Sequence, residues 1–310
     1  MGVSGTQPPL GRCVSMIVVT APTSTIGRQL LALLVGSGEQ VRVIARDPSR
    51  ITGRYREHVE VVHGSHGDRD VVDKAFTGAD AVFWLVPPDP RAASVAAAYL
   101  DFSLPACAMV TSHGVKRVVG VSALGRGVTH NAGLVSGSLA MDDLFAGTGV
   151  SYRALTMPSF MDNILRQTAM IRTQDMFVGP VNAERRQPTC ATRDIASVAA
   201  ALLRDSSWTG IEEVPVLGPE DLSFDDMAKI MSEVLTKPIR YQQIPFESYR
   251  AALVERGMSD AIAQGMVDMM VAKNEGLDNA QPRTPQSTTP TTFRQWCAEV
   301  LKPAMSREIS

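Results

Sequence analysis

The first half of the chain alternates short apolar runs with segments of helical periodicity. Continuous apolar runs such as Met16–Thr20 are typical of strands that are buried on both faces. This alternation predicts strands at Met16–Thr20, Gln40–Arg46, Val59–His63, Ala79–Val86, Lys116–Ser122 and Ser151–Met157, and helices at Thr25–Val35, Asp70–Phe76, Ala92–Ser112 (kinked at Pro105) and Leu139–Phe145. Strands that alternate with helices indicate an α/β protein with a Rossmann-type, doubly wound parallel sheet.

The second half contains fewer strand patterns. It predicts strands at Glu213–Leu217 and Arg240–Ile244, and helices at Thr192–Leu203, Phe224–Leu235 (capped by Ser223), Glu247–Arg256, Asp260–Lys273 and Phe293–Leu301. Two short strands cannot form a second large sheet, so we expect a smaller C-terminal α/β lobe over the sheet's carboxyl edge. The expected division is a flexible tail at 1–15, a Rossmann domain at 16–158 to which 188–205 returns, and a substrate lobe at 159–187 and 206–310.

The composition excludes several classes of protein. Of 310 residues, 45% are hydrophobic and the net charge is only −2, so we expect neither nucleic acid nor an anionic membrane as a partner. No apolar run approaches the ~20 residues that span a bilayer, and we expect no secretory leader. The four cysteines have no paired spacing, which favours a cytoplasmic protein without disulfides or a metal site. A small-molecule substrate is the remaining expectation.

The segment Thr20–Gly27 follows the first predicted strand, where a doubly wound sheet binds phosphate. Gly27 keeps the glycine that lets helix and strand pack closely, but Ala21 and Ser24 replace the first two glycines. A methyl group at position 21 costs about 1–2 kcal/mol if that residue needs a positive φ. Phosphate could still receive hydrogen bonds from the hydroxyls of Thr23, Ser24 and Thr25. Two interpretations stay open: a modified dinucleotide site, or a fold whose cofactor site has decayed.

Arg46 stands at the end of the second predicted strand. An acidic residue at this position binds a ribose 2′-hydroxyl, whereas an arginine accommodates a 2′-phosphate. Arg46 therefore favours NADP(H) over NAD(H), and the alternative is an ordinary solvated arginine.

Several short sequence motifs resemble, in their order and spacing, those of the NmrA-like family of atypical short-chain dehydrogenases/reductases. The resemblance extends from about Met16 to Trp296 of this chain. The motifs are Ile17–Thr20 with Ile26-Gly27, Val41–Pro48, Gly78–Phe83 with Pro87-Pro88, His113–Val119 with Ser122–Gly125, Met157–Asn163, Arg193–Ala196 and Leu217–Glu220. The resemblance implies a Rossmann domain, a small substrate lobe and NADP(H) between them. By position, it places cofactor contacts, in addition to Ala21 and Ser24, on Thr23, Thr25, Ile26, Arg46, Pro87, Ser122 and Phe160.

The chain departs from that family at three places. The first is the pair Ala21 and Ser24. The second is Ser65, which replaces the acid after the third strand, with Gly67-Asp68 as a substitute after a three-residue shift. The third is Ser138, where some members carry a lysine. These departures weaken the inference of ordinary hydride transfer.

The candidate catalytic residues are few. None of the five tyrosines has a lysine four residues on, so the usual Tyr/Lys dyad is absent. Ser122, at the end of the fifth strand, and His130, in the loop that follows, are the candidates, against the alternatives of a strand end and a surface histidine. Asp142 and Asp143 lie on a predicted helix, and we expect both to be solvated.

Phe160, Met161 and Asn163 follow the sixth predicted strand and are expected to line the substrate cleft. The methionines of Met258–Met270 indicate a core helix, an adaptable apolar pocket or a homodimer face.

The sequence thus supports one leading hypothesis and two alternatives. The leading one is an NADP(H)-dependent reductase of a bulky conjugated carbonyl or quinone, in which positioning supplies most of the rate. The alternatives on the same fold are a cofactor-independent isomerase, cyclase or lyase, and a non-catalytic NADP(H)-sensing regulator.

Overall fold

A computed structural model describes residues 15–306, so all of the predicted tail except Ser15 lies outside the described residues. In chain order, the strands of the described part are β1 (Met16–Val19), β2 (Gln40–Ala45), β3 (Val59–His63), β4 (Ala81–Trp84), β5 (Arg117–Ala123), β6 (Ser151–Met157), β7 (Ser159–Phe160), β8 (Met176–Gly179), β9 (Gln187–Cys190), β10 (Ile211–Pro215), β11 (Asp221–Leu222) and β12 (Arg240–Gln243).

Seven strands form one sheet in the order β3-β2-β1-β4-β5-β6-β10, and every neighbouring pair is parallel. The chain moves outward from β1 to β3, returns to β4, and then moves outward in the other direction. This reversal between β1 and β4 is where doubly wound sheets open a ligand crevice at their carboxyl edge. The topology confirms the Rossmann-type fold that the alternation of strands and helices predicts.

The helices connect and cover these strands. They are α1 (Thr25–Gly36), α2 (Gly53–Arg56), α3 (Arg69–Phe76), α4 (Phe102–Ser112), α5 (Leu134–Ala146), α6 (Thr168–Gln174), α7 (Thr192–Arg204), α8 (Phe224–Leu235), α9 (Phe246–Glu255), α10 (Asp260–Asn274), α11 (Phe293–Trp296) and α12 (Lys302–Ser306). Helices α1 and α7 pack on one face of the sheet, and α3, α4 and α5 pack on the other. Both faces are therefore covered, which explains the continuous apolar runs of β1 and β4.

The predicted helix Ala92–Ser112 differs from the observed one before Pro105. The chain forms a wide π-helical turn at Ala97–Asp101 and continues as α4, with Pro105 in its first turn. Proline has no N–H to donate to the carbonyl of Asp101, and its ring crowds that carbonyl. The wide turn relieves this conflict one turn earlier than the predicted kink.

The strand β10 changes the expected division of the chain. We expected 206–310 to belong to the lobe, but β10 pairs in parallel with β6 and forms the outer edge of the main sheet. The rest of the expected division into a Rossmann domain and a lobe stays a prediction. Here the prediction misplaces residues 211–215, because an edge strand with two glutamates lacks the apolar run of a buried strand.

The remaining segments form small sheets, β11-β9-β7 and β12-β8, around a separate apolar cluster. Phe177, Met231 and Trp296 are fully buried in this cluster. Its helix α8 begins as predicted: the Ser223 hydroxyl accepts from the N–H of Asp226 at 3.0 Å, and the Asp226 carboxylate accepts from the N–H of Ser223.

Helix α10 contacts loops at the carboxyl edge of the main sheet. Ser259 donates to the carbonyls of Pro90 and Ala92 in the loop after β4, through its N–H at 2.9 Å and its hydroxyl at 2.7 Å. A Cβ on Gly133, at the start of α5, would lie 1.8 Å from the carbonyl oxygen of Gly265 in α10. Two helices thus touch backbone to backbone. Within 15–306, no helix is long and apolar enough to cross a membrane.

Candidate cofactor and substrate site

The loop between β1 and α1 holds Ala21 in the left-handed region, with φ of +47°. This conformation lets the Ala21 carbonyl accept the N–H of Ser24 at 3.0 Å. Gly27 is required behind it, because a Cβ there would lie 2.1 Å from the same carbonyl oxygen. The chain therefore keeps the phosphate-loop turn of a dinucleotide fold with an alanine at a position that favours glycine.

We expect Ala21→Gly to stabilise the protein by about 0.5–1 kcal/mol, because relief of the positive φ outweighs the extra freedom of the unfolded chain. The measurement is the free energy of unfolding in urea. The control is Ala140→Gly within α5, which should destabilise by a similar amount. Equal destabilisation by both substitutions would contradict the strained geometry of the loop.

Ser24 caps α1, since its hydroxyl oxygen accepts from the N–H of Gly27 at 3.0 Å. The N–H groups of Thr25 and Ile26 precede the first intrahelical hydrogen bond and stay free. The hydroxyls of Thr23 and Thr25 have no hydrogen-bond partner in the part of the chain that the structure describes. The start of α1 therefore still offers donors to an anion, and the Ser24 hydroxyl keeps its hydrogen for donation.

Arg46 lies at the end of β2 with its side chain exposed. Its carbonyl bonds the His63 ring at 3.0 Å, but its guanidinium has neither a hydrogen bond nor an ion pair among residues 15–306. Arg42, by contrast, is bound by Glu60 at 2.7 Å and by two backbone carbonyls. Arg46 is thus the arginine of this strand that is free to bind a phosphate.

The turn after β3 lies at the same carboxyl edge of the main sheet. Gly64 has φ of +141° and donates to the Ala45 carbonyl at 3.1 Å, and the Ser65 hydroxyl accepts from Gly67 at 3.2 Å. Asp68 is the N-cap residue of α3, but its exposed carboxylate makes no capping hydrogen bond, so this acid is available on this side. His66 has a structural role: burial lowers its pKa to about 4, and its ring bonds the carbonyl of Leu85.

Thr20, at the end of β1, forms hydrogen bonds to β4 at the point where the strand order reverses. Its hydroxyl donates to the Phe83 carbonyl and accepts from the Leu85 N–H, both at 2.9 Å. This pairing fixes the strand end from which Pro87 emerges as an exposed residue. The loop at α1 and the Pro87 turn therefore lie side by side at the carboxyl edge, where doubly wound sheets bind their ligands.

A buried polar cluster lies at the end of β5. The Ser122 hydroxyl donates to the carboxylate of Asp142 on α5, and its oxygen is 3.4 Å from that of Ser138, one turn earlier. Asp142 is 2% exposed, so this carboxylate lies inside the protein. Arg126 is 3.7 Å from Asp142, but it bonds more closely to other acids, Asp143 and Glu213, at 2.7 Å each.

Tyr152 on β6 completes the cluster across β5. Its hydroxyl donates to the second oxygen of Asp142 at 2.7 Å. The ring crosses over Gly120, where a Cβ would lie 1.9 Å from the tyrosine oxygen. Gly120 therefore makes the contact between β6 and α5 possible, because any side chain there would displace the hydroxyl.

Burial raises the pKa of Asp142 to about 6, and the hydrogen bonds from Ser122 and Tyr152 offset part of that rise. Burial and the adjacent carboxylate raise the pKa of Tyr152 well above its usual value, so its hydroxyl remains a donor. The only group of this cluster that titrates near neutral pH is Asp142.

The expectation that Asp142 is solvated is wrong, whereas Asp143 is exposed as expected. Asp142 follows Ser138 by four residues and precedes Phe145 by three, so it lies on the buried face of α5. That spacing, together with a glycine inside the strand β5, was the signal available in the sequence.

His130 does not join this cluster in the structure. It is 53% exposed and lies 3.7 Å from Glu275, just beyond α10, while the neighbouring Asn131 bonds Asp268 at 3.1 Å. Its loop therefore contacts the lobe, and this placement favours the interpretation of His130 as a surface histidine.

The three residues expected to line the cleft take different positions. Phe160, on β7, is half-buried against the main core, and Asn163 is exposed on the 3-10 turn Met161–Gln167. Met161 corrects the prediction: it is 2% exposed and packs in the core of the lobe. A residue at the start of that turn points inward, because the turn packs one face on the lobe.

The described residues fit a bound dinucleotide. Free helix-start N–H groups at Thr25 and Ile26 suit its phosphates, and the unpaired Arg46 suits a 2′-phosphate. Ser122, near the end of β5, and Pro87, after the neighbouring strand β4, lie at the same carboxyl edge.

Comparison with known proteins agrees with this geometry. The NAD(P)H-binding family model matches residues 23–206, more than half of the chain, and the NmrA-like family model matches residues 145–297. The chain therefore belongs to the NAD(P)H-binding family, and its match to the NmrA-like model confirms the resemblance seen in the sequence. It is an NAD(P)H-binding protein of the atypical short-chain dehydrogenase/reductase type.

A Streptomyces griseus protein, (4-alkanoyl-5-oxo-2,5-dihydrofuran-3-yl)methyl phosphate reductase, is 28% identical over 293 residues, 92% of this chain and 97% of that protein. A nucleoside-diphosphate-sugar epimerase from Staphylococcus aureus superposes with a TM-score of 0.78 at 16% identity, covering 91% and 99% of the two chains. The NADPH complex of an Escherichia coli quinone oxidoreductase superposes at 0.76 with 18% identity, covering 92% and 100%. At such identities the structures share the fold alone.

Proposed function

We propose that this protein is an NADP(H)-dependent reductase of a bulky, apolar, conjugated carbonyl or quinone. The observation that carries the proposal is the combination of two features at the ends of neighbouring strands: the unpaired guanidinium of Arg46 after β2, and the free N–H groups that begin α1 after β1. A decayed site would have no reason to keep both the phosphate turn and an unused arginine at the position of a 2′-phosphate. The reductase activity named for the Streptomyces relative supports the reaction class.

The candidate site residues have different proposed roles in binding the cofactor and the substrate. NADPH, when bound, supplies the hydride. Thr23, Thr25 and Ile26 would hold its phosphates and Arg46 its 2′-phosphate, while Pro87, Ser122 and Phe160 would contact the rest of the cofactor. Phe160 would also face the substrate. The half-buried ring of Phe160 and the half-buried methionines of α10 give the substrate side an apolar character.

We expect Arg46→Ala to weaken NADPH binding about 10- to 100-fold and to leave NADH binding unchanged, because a lost charge-assisted hydrogen bond costs about 1.5–3 kcal/mol. Fluorescence titration of both cofactors measures the effect. Arg240→Ala in the lobe is the charge-matched control and should change neither affinity. If Arg46→Ala bound NADPH as tightly as the unchanged protein does, the preference for NADP(H) would be refuted.

The reaction class is tested by following NADPH oxidation at 340 nm with matched acceptors. Each quinone or conjugated enone is paired with the corresponding saturated ketone. We expect turnover with the conjugated member of each pair only. Equal rates with saturated ketones would contradict the proposed substrate class.

Two other outcomes would favour the alternatives. NADPH binding without turnover of any acceptor would favour the non-catalytic sensor. Absence of NADPH binding at millimolar concentration would favour the cofactor-independent isomerase, cyclase or lyase.

A further inference from the structure

A reduction that adds a hydride to a conjugated carbonyl also needs a proton, and the Tyr/Lys dyad that supplies it in related enzymes is absent from this sequence. Resting on the proposed function, we propose that Ser122 donates this proton and that the buried carboxyl of Asp142 reloads it. Ser122 is then the catalytic residue, and Asp142 is a positioning residue that acts through it.

The direction of one hydrogen bond carries the inference. Both acceptor oxygens of ionised Asp142 are occupied, one by the hydroxyl of Ser122 and the other by that of Tyr152 at 2.7 Å. In this state the only hydrogen of the Ser122 hydroxyl lies in the hydrogen bond to Asp142. Ser122 can then only accept hydrogen bonds from a substrate. When Asp142 is neutral, it donates to Ser122 instead, and the Ser122 hydrogen becomes free for the crevice.

The proton transfer balances over these groups. Hydride addition leaves an electron pair on the acceptor oxygen of the substrate. That oxygen takes the proton of the Ser122 hydroxyl as the Oγ–H bond breaks, and Oγ takes the proton of neutral Asp142, which becomes a carboxylate. Water returns a proton to Asp142 after the product leaves. The only reductant is NADPH, which the proposed function supplies.

The surroundings suit a group that changes its protonation state near neutral pH. Asp142 is 2% exposed, and burial raises its pKa to about 6. The ionisable groups that face the cluster are Arg126 after β5, Asp143 on α5, Tyr152 on β6, Glu213 on β10 and Cys107 on α4. Arg126, the only cation among them, is 3.7 Å away and bonds two other acids, so it does not hold Asp142 ionised.

A first experiment needs no cofactor. Carbon-13 NMR of protein labelled at the aspartate carboxyls follows their titration, and Asp142→Asn identifies the resonance. We expect a midpoint near pH 6 that moves upward in Ser122→Ala and in Tyr152→Phe, since each substitution removes a hydrogen bond that favours the carboxylate. A midpoint that neither substitution moves would overturn the coupling between these groups.

A second experiment measures turnover against pH. We expect Ser122→Ala and Asp142→Asn each to lower kcat about 10²- to 10³-fold, with the Kd for NADPH unchanged in Asp142→Asn, and the double variant to lose no more than either single one. The rate of the unchanged protein should fall above pH 6. In Tyr152→Phe that fall should move to higher pH, which a purely structural role of Asp142 does not explain.

The matched control is Asp225→Asn, an exposed aspartate in the first turn of α8 and outside this cluster, which should keep both rate and pH profile. If the unchanged protein reduces the acceptors and Asp142→Asn keeps the full rate, the proton relay alone is overturned. If the unchanged protein oxidises NADPH with none of the acceptors, the proposed function and the relay are overturned together. The two failures are therefore distinguishable.

Discussion

Replacing Gly27 with alanine is expected to weaken NADPH binding by 30-fold or more. The new Cβ would lie 2.1 Å from the Ala21 carbonyl oxygen and 3.0 Å from the Cα of Pro22, and both neighbours are backbone atoms that cannot rotate away. Relief of the clash must move the whole loop off the start of α1. A loss of about 2 kcal/mol, or roughly 30-fold in Kd, is the smallest effect that such a displacement predicts.

Gly36→Ala provides the control within the same helix. Gly36 ends α1, and a Cβ there would meet nothing within 4 Å. Calorimetric titration with NADPH should show an unchanged Kd for Gly36→Ala. If Gly27→Ala also bound NADPH normally, the loop would not be the phosphate site.

The second large effect concerns the buried ion pair of Lys273 and Asp278. The Lys273 ammonium is 2.6 Å from the Asp278 carboxylate, and the two side chains are 6% and 1% exposed. Lys273→Met leaves a buried carboxylate without its partner, which destabilises a protein by about 3–5 kcal/mol. Thermal unfolding should therefore begin on the order of 10 °C lower.

Two variants test the cause of this loss. Lys116 pairs with Asp80 at 2.7 Å, but it is 68% exposed, so Lys116→Met should cost no more than about 1 kcal/mol. Adding Asp278→Leu to Lys273→Met removes the stranded charge and should restore most of the stability. A Lys273→Met variant as stable as Lys116→Met would contradict the predicted cost of leaving the Asp278 carboxylate buried without its partner.

The main sheet was predictable because its strands are buried on both faces and alternate with helices. Ser151–Met157 has the bounds that the sequence predicts, and Thr192–Arg204 differs by one residue. Segment 159–187 carried no prediction of a helix or strand, since strands of two to four residues, such as β7 and β8, are too short to show a period.

The sequence predicts the parts of the candidate site whose residues are close together in the chain or lie at a strand end. The loop Thr20–Gly27 and the free Arg46 follow from their places at strand ends. The cluster around Asp142 joins groups 10 and 20 residues away, on β6 and β5, and needs a glycine between them. An acid on a helix is solvated by default, and the spacing of Asp142 from Phe145 is too weak a signal to outweigh that default. The packing of Tyr152 over Gly120 shows that this acid is buried.

One measurement tests most directly whether the modified loop still binds NADP(H). Calorimetric titration of the purified protein with NADPH and with NADH compares the two cofactors under the same conditions. We expect a micromolar Kd for NADPH, on the order of −8 kcal/mol, and weaker binding of NADH. No heat of binding with NADPH at millimolar concentration would contradict a cofactor site formed by Ala21, Ser24 and Arg46.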